Sequence, residues 1–207
     1  MNSRLLELIP SWCGLRVLDL GCSTCEEGES LLEAGVHLTC VDQDGVTMEQ
    51  TAKRLPAATC IASDAARFVP KSGERFDVVL MRRPDVAIQK ERWHAVFGKI
   101  PSWIAKDGRV IVTTPGAWEA RIVRTWLKEI GTRNIKEVVM DWKDEQHVLI
   151  ADGIEPRDEL PSEQTPAEML AWESDEIPMV CDVRTGKCTP VSELGQAASN
   201  SSSDSEI

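Results

Sequence analysis

The stretch Arg16-Val17-Leu18-Asp19-Leu20-Gly21-Cys22-Ser23-Thr24-Cys25 decides how this chain is read. A short apolar run ends in an acidic residue and a glycine. A loop of small residues follows, and Glu26 to Gly35 then has the composition of a helix. In an open α/β sheet, ligands sit at the carboxyl ends of strands, and the first strand-to-helix turn is the usual place. Gly21 allows the backbone to turn sharply and to approach a ligand closely. Further on, a second apolar run from Val36 to Val41 ends in Asp42, with Gln43 beside it. A carboxylate at that place takes both hydroxyls of a ribose. Together these features imply a nucleoside-containing ligand.

The charge around the loop narrows the choice. A dinucleotide site needs G-x-G-x-x-G, so that backbone amides and a helix dipole hold a pyrophosphate. Here Ser23 and Glu26 occupy the second and third glycine positions, and Glu27 and Glu29 add negative charge. Phosphate would be repelled. S-adenosylmethionine carries a sulfonium and an ammonium and no phosphate, and it suits this charge.

On these residues the chain resembles the class I (Rossmann-like) S-adenosylmethionine-dependent methyltransferases. Their first motif reads roughly [D/E]-x-G-x-G-x-G, and Asp19 to Cys25 lies on it. Asp42 matches the family's ribose-binding acid. Ala62-Ser63-Asp64-Ala65 matches its third motif, in which the acid contacts the adenine amino group and the next amide contacts the ring. Phe76 to Met81 resembles the fourth strand, and Lys106 to Val112 the turn into the fifth strand. The resemblance covers about residues 13 to 150. It implies an α/β three-layer sandwich with a mostly parallel seven-stranded sheet, order 3-2-1-4-5-7-6, the last strand in sequence antiparallel. It also implies S-adenosylmethionine as cofactor, held by Asp19, Gly21, Cys22, Ser23, Asp42, Gln43, Asp64 and Ala65. Two departures stand out: Ser23 and Cys25 replace glycines of the loop, and Cys25 puts a side chain where close helix packing is usual.

Acceptor residues are harder to read. Arg82-Arg83-Pro84-Asp85 follows the fourth strand, on the edge that faces the methyl group in this family. The [N/D]-P-P-[Y/F/W] motif of amide and adenine nitrogen methylation is missing there. Either arginine can bind a carboxylate on an acidic substrate. Each can equally stay solvated, or pair with Asp85 or with the acidic tail. His94 is a candidate general base, with a surface histidine as the plainer reading. Of the seven tryptophans, Trp103, Trp118 and Trp126 read as core or interface residues. Trp12 and Trp172 are candidates to cover the cofactor cleft.

Composition adds limits. Residues 1–150 carry 20 Lys+Arg and 21 Asp+Glu, and residues 151–207 carry 3 and 13. The net −11 therefore belongs to the tail. The nearly neutral front has no basic footprint, which argues against nucleic acid. Seven cysteines fit free thiols in a reducing cytoplasm better than a disulfide framework. Cys22-Ser23-Thr24-Cys25 is formally C-x-x-C, but no second such pair or histidine pair accompanies it, so no metal is expected. Cys181 and Cys188 flank a turn and read as two thiols on a small hairpin. No run is long and apolar enough to span a bilayer, and a signal peptide is not evident.

Three regions are expected: a cofactor-binding domain over 1–152, an acidic extension over 153–194 that docks on it, and a Ser-rich disordered tail over 195–207. Within the first, helices are expected near 5–9, 26–34, 46–55, 88–104 and 118–130. Strands are expected near 15–20, 36–41, 59–62, 76–81 and 109–114, followed by a hairpin of 135–142 with 146–151. The sequence thus reads as a methyltransferase for a small-molecule or protein acceptor. A non-catalytic module of the same fold that binds protein through its acidic tail is the main rival. A nucleotide-dependent oxidoreductase is the second, disfavoured by the glutamates.

Overall fold

The computed structural model describes residues 4–141 and 145–158, and the backbone of 179–181 and 188–190. The chain divides into two units, residues 1–162 and 163–207. In the first, seven strands form one sheet in the order β3-β2-β1-β4-β5-β7-β6. They are β1 (Arg16–Leu20), β2 (His37–Asp42), β3 (Thr59–Ala62), β4 (Phe76–Arg82), β5 (Ile104–Thr114), β6 (Asn134–Val139) and β7 (His147–Asp152). All pairings are parallel except those of β7, which runs antiparallel to both β5 and β6. This is the expected topology.

The reason for the central strands is plain in their composition. Val17, Leu18, Leu20 and Val78 to Met81 are fully buried, as near-continuous apolar runs must be when helices cover both faces of a parallel sheet. Side chains alternate between the faces. Leu18, Leu20, Val79 and Met81 join a core with Phe97, Trp103 and Trp126 on one face. Val17, Val78, Leu80, Cys25 and Cys40 join Leu31 and Leu55 on the other.

Four helices cover these faces: α1 (Gly28–Glu33), α2 (Gly45–Arg54), α3 (Lys90–Trp103) and α4 (Ala117–Glu129). Asp44 caps α2, its carboxylate accepting from the amides of Val46 and Thr47 at 3.0 and 3.3 Å, as a short acidic side chain at that position does. In α4, Val123, Trp126 and Leu127 are buried, the i, i+3, i+4 stripe of an amphipathic helix. The opening segment forms a 3-10 helix, Arg4–Leu8. Ile88 lies outside α3 and is exposed.

The start of β5 differs from expectation. It begins at Ile104, where it pairs with Phe76, and its register shifts before Val78 meets Arg109. Asp107 has φ +65° at this irregularity. A Cβ on Gly108 would lie 2.7 Å from Ile104 and 2.9 Å from a backbone oxygen. Lys106-Asp107-Gly108 is therefore a kink inside a strand.

One tryptophan departs from its sequence reading, and a second is not in the core. Trp12 is buried in the core of the β2 side and donates from Nε1 to the Leu6 carbonyl at 3.1 Å, so it does not cover the cleft. Trp118 is 58 % exposed. Beyond β7 the chain stays with the domain: Ile154 is buried, and the Arg157 amide donates to the Pro101 carbonyl at 2.8 Å.

The second unit shows a two-stranded antiparallel hairpin, β8 (Met179–Cys181) with β9 (Cys188–Pro190), in which Cys181 stands opposite Cys188. The docking of the acidic extension, the covering role of Trp172 and the disorder of 195–207 concern positions outside the described residues.

Candidate functional site

The strand order reverses direction between β1 and β4, because β2 and β3 extend to one side of β1 and β5 to the other. At such a switch point the carboxyl ends of the strands diverge and leave a crevice. Gly21 sits at the end of β1 with φ +68°, a conformation that favours glycine. Its amide donates to the Val41 carbonyl at 2.8 Å, which ties the loop to the end of β2.

Asp42, at the end of β2, organises both neighbouring loops. Its Oδ2 accepts from the Ser23 amide at 2.9 Å and its Oδ1 from the Asp44 amide at 3.0 Å. Each oxygen keeps a further lone pair. Asp64 follows β3, and its Oδ1 accepts from the Ala66 amide at 2.8 Å. The same carboxylate pairs with Arg92 of α3 at 3.0 Å. Arg92 also donates to Gln43 at 2.6 Å and to Gln89 at 2.8 Å. It therefore clasps the ends of β2 and β3 to α3.

Between these groups lies a cavity of about 170 Å³, with Asp42, Gln43 and Ala65 on one side and Arg83, Asp85 and Trp93 on the other. Trp93 narrows it. A Cβ placed on Gly21 would lie 3.2 Å from the indole.

The loop keeps a glycine-like path without its glycines. Ser23 and Cys25 both have φ +48°, which costs on the order of 1–2 kcal/mol for a residue with a side chain. This explains physically why glycine suits these positions. Close helix packing is supplied elsewhere, by Gly28: a Cβ there would lie 2.3 Å from Leu55. The Cys25 side chain is directed into the core instead, where its Sγ donates to Asp19 Oδ2 at 3.5 Å and lies 3.3 Å from Cys40 Sγ. Asp19 is buried, and its Oδ1 has no partner. Burial first, and then the neighbouring Cys25, hold its carboxyl well above the ordinary range. Cys22 lies in the same loop, partly exposed.

The two arginines after β4 take different roles. Burial opposes the Arg82 charge, but bonds to Glu145 at 2.9 and 3.1 Å outweigh it and raise its pKa. Glu27 approaches the same guanidinium at 3.9 Å. Arg83 reaches Glu145 only at 3.7 Å, remains about half exposed and faces the cavity. Its φ is +49°, held by bonds from its amide to the Thr113 carbonyl and hydroxyl at 3.0 and 3.2 Å. Glu145 itself is buried. His94 pairs with Glu129 of α4 at 2.9 Å and packs on Trp126, which leaves it at the α3–α4 contact.

The structure thus brings Asp42, Gln43, Ala65, Arg83 and Asp85 to one cavity, with Gly21 beside it under Trp93. Asp19 lies buried beneath the loop, and Arg82 is turned to Glu145. Sequence reading missed Arg92 as a clasp, Trp93 as a cover and Glu145 as the partner of Arg82. Register carries the signal for Glu145: Thr113 pairs with Arg82 on one side and with Val148 on the other. The residues just before β7 therefore reach the end of β4.

These features also test the cofactor. The acid at the end of β2, the glycine that a Cβ would crowd and the acidic loop suit a ribose-bearing cation. The width does not yet suit it, since pockets for ligands of this size run to about 300–1,000 Å³.

Residues 17–108 match the family model of the methyltransferase domain. No curated protein matches the sequence. Among solved structures, the fold is similar to that of the TehB-like SAM-dependent methyltransferase from Corynebacterium glutamicum, with 15% identity and TM-score 0.55 over 72% of this chain and 84% of that one. It is similar to the N-methyltransferase NodS from Bradyrhizobium japonicum in complex with S-adenosyl-l-homocysteine, with 17% identity and TM-score 0.53 over 66% and 76%. It is also similar to the magnesium protoporphyrin IX methyltransferase ChlM from Synechocystis with bound SAM, with 18% identity and TM-score 0.53 over 69% and 72%. At such identities these likenesses speak for the fold. Together with the match over residues 17–108, they support a methyltransferase-like fold for this part of the chain.

Proposed function

We propose that the chain transfers a methyl group from S-adenosylmethionine to a small-molecule or protein acceptor that approaches past Arg83 and Asp85. One observation carries this reading: Asp42 and Ala65, the residues suited to an adenosine, line the same cavity as Arg83 and Asp85. The bound cofactor supplies an electrophilic methyl on a positively charged sulfur. Asp42 is suited to take the ribose hydroxyls, with Gln43 beside it. Asp64 and the Ala65 amide are suited to the adenine edge once Arg92 has swung aside. Gly21, Cys22 and Ser23 form the wall along the loop, and buried Asp19 supports it from below. Rate then comes from positioning, with the acceptor atom held in line with the methyl.

Arg83 is the cation available to the acceptor, because Arg82 is neutralised by Glu145 and Glu27. The acceptor class that fits carries a carboxylate or another acidic group near the methylated atom. The free thiols of the domain suit a reducing compartment such as the cytoplasm. Among the described residues, no helix is long and apolar enough to cross a membrane. We further assign residues 1–152 to the cofactor domain, 153–194 to an acidic extension and 195–207 to a tail.

Calorimetry with S-adenosylmethionine, S-adenosylhomocysteine and NAD tests the cofactor. The first two should bind and NAD should not. Absence of heat with both adenosyl ligands would favour the second reading, a non-catalytic module. The closure of the cavity by Trp93 and Arg92 supports that alternative. Incubating a cell extract with methyl-tritiated S-adenosylmethionine, then separating proteins from small molecules, identifies the acceptor class.

A further inference from the structure

The cofactor loop carries a cluster of sulfur atoms that methyl transfer does not require. The Cys40 thiol donates to Cys25, and Cys22 is near enough to act electrostatically on both. Cys25 and Cys40 are 3.3 Å apart, and Cys22 lies 3.9 Å from the thioether of Met48. Cys25 and Cys40 are buried, whereas Cys22 is partly exposed. The backbone between Cys22 and Cys25 is a tight turn, closed by a bond of 2.7 Å from the Cys25 amide to the Cys22 carbonyl. Such a turn keeps the Cα atoms of its first and fourth residues within about 7 Å. A disulfide needs about 4.4–6.8 Å between Cα atoms.

We propose that Cys22 and Cys25 form a reversible disulfide that closes across the cofactor loop, with hydrogen peroxide as the oxidant. Cys22 is the sulfur that solvent reaches. Cys22 gives its proton to water, which later neutralises the departing hydroxide, and the Cys22 thiolate attacks one peroxide oxygen. The O–O bond breaks, hydroxide leaves and Cys22 becomes a sulfenic acid. The Cys25 sulfur then attacks the Cys22 sulfur. The S–S bond forms, the S–O bond breaks and the oxygen leaves as water. Two thiols and one peroxide thus give one disulfide and two waters. The neighbouring thiols of Cys22 and Cys40, with help from the Arg54 charge, make Cys25 the most acidic thiol of the cluster, which favours its attack. The neighbouring thiols, and after them burial, push the Cys40 thiol up and keep it protonated.

Closure has a consequence for the cofactor, which rests on the methyltransferase reading. Ser23 lies inside the bridged turn, and its amide is bonded to Asp42. Drawing Cys25 toward Cys22 pulls it off Asp19 and Cys40 and shifts that turn. Oxidised protein should bind S-adenosylhomocysteine about tenfold more weakly.

The test treats the full chain with hydrogen peroxide, alkylates the remaining thiols and digests it with a protease specific for glutamate. Trypsin is unsuitable, because residues 17–53 hold all three cysteines on one peptide. Cleavage after glutamate leaves Cys13, Cys22 and Cys25 on peptide 8–26 and Cys40 on peptide 34–49, and Cys13 should appear there in its alkylated form. The expected product is peptide 8–26 two hydrogens lighter, with its Cys22–Cys25 bond located by fragmentation and reversed by dithiothreitol. Cys22→Ser should abolish it, and Cys40→Ser should retain it. A cross-link joining the two peptides, or no loss of thiols, would overturn the assignment. A disulfide that leaves affinity for S-adenosylhomocysteine unchanged would overturn the coupling to the cofactor. Reduced protein that binds no S-adenosylhomocysteine would sink the methyltransferase reading instead, because the mass measurement does not depend on it.

Discussion

The indole of Trp93 lies over Gly21, so close that a methyl on the glycine would sit 3.2 Å from the ring. Helix α3 therefore covers the turn along which the cofactor is expected to lie. Gly21→Ala meets this contact and a φ of +68° at once. It is expected to destabilise the fold by about 1–2 kcal/mol and to weaken S-adenosylhomocysteine binding. The double variant with Trp93→Ala should recover part of the stability, through the steric component alone. Chemical denaturation of the three proteins measures it. Equal losses in both backgrounds would show that the ring is not the obstacle.

Arg92 holds Asp64, Gln43 and Gln89 together. On the proposed reading the cofactor displaces it, and the clasp would then lower apparent affinity by the fraction of time it is open. Arg92→Ala is expected to tighten S-adenosylhomocysteine binding by about threefold. Weaker binding by calorimetry would mean that Arg92 contacts the ligand directly.

Asp42→Ala removes the acceptor for the Ser23 and Asp44 amides as well as the proposed ribose partner. Affinity for S-adenosylmethionine is expected to fall at least about tenfold. Asp42→Asn should retain part of the loop and still lose ribose binding. An unchanged dissociation constant in both variants would remove Asp42 from the site.

Glu145→Ala leaves Arg82 without its bidentate partner in a mostly buried place. The expected loss is about 3 kcal/mol of folding stability. Adding Arg82→Met should restore part of that loss, because the unpaired charge is then gone. Urea titrations of the two single variants and the double variant provide the cycle. Additive losses would show that the two groups act independently.

Asp77, on β4, accepts from the Arg16 amide at 2.8 Å and from its guanidinium at 3.2 Å. Burial opposes its charge, but these bonds prevail, and its pKa lies below the ordinary carboxylate value. A lowered folded-state pKa stabilises the protein above the unfolded value, and the gain is lost as pH falls through the folded one. Asp77→Asn should therefore cost about 1 kcal/mol at neutral pH, a figure discounted for the partial exposure of the pair. The gap from wild type should close below about pH 4. A gap that stays constant down to pH 3 would contradict the assignment.

The strand ends were legible because each is punctuated. Leu20-Gly21, Val41-Asp42 and Ala62-Ser63-Asp64 change from apolar to polar or flexible within one or two residues. Helix α4 was legible from its 3.6-residue stripe. Pairings across the sheet were not. Arg82 sits 63 residues from Glu145, and Arg92 sits 28 from Asp64. Which carboxylate a flexible arginine selects depends on where the topology brings the loops. Cys25 misled for a related reason. Its identity suggested a clash with a helix, but at a positive φ its sulfur is buried in the same core as Cys40, Leu31 and Leu55, while Gly28 provides the close contact.

Pro101 lies inside α3 and has no amide hydrogen to offer the preceding turn. Its own carbonyl accepts from the Arg157 amide. Arg75, just before β4, binds the carbonyls of Ser102 and Arg157. The five residues after β7 thus act as a clip that fastens the end of α3 to the sheet. A crystallographer who trims this chain at the last strand would keep every sheet hydrogen bond, yet would open the core at Ile154 and remove partners from the Pro101 carbonyl and from Arg75. A recombinant domain should therefore extend at least to residue 158.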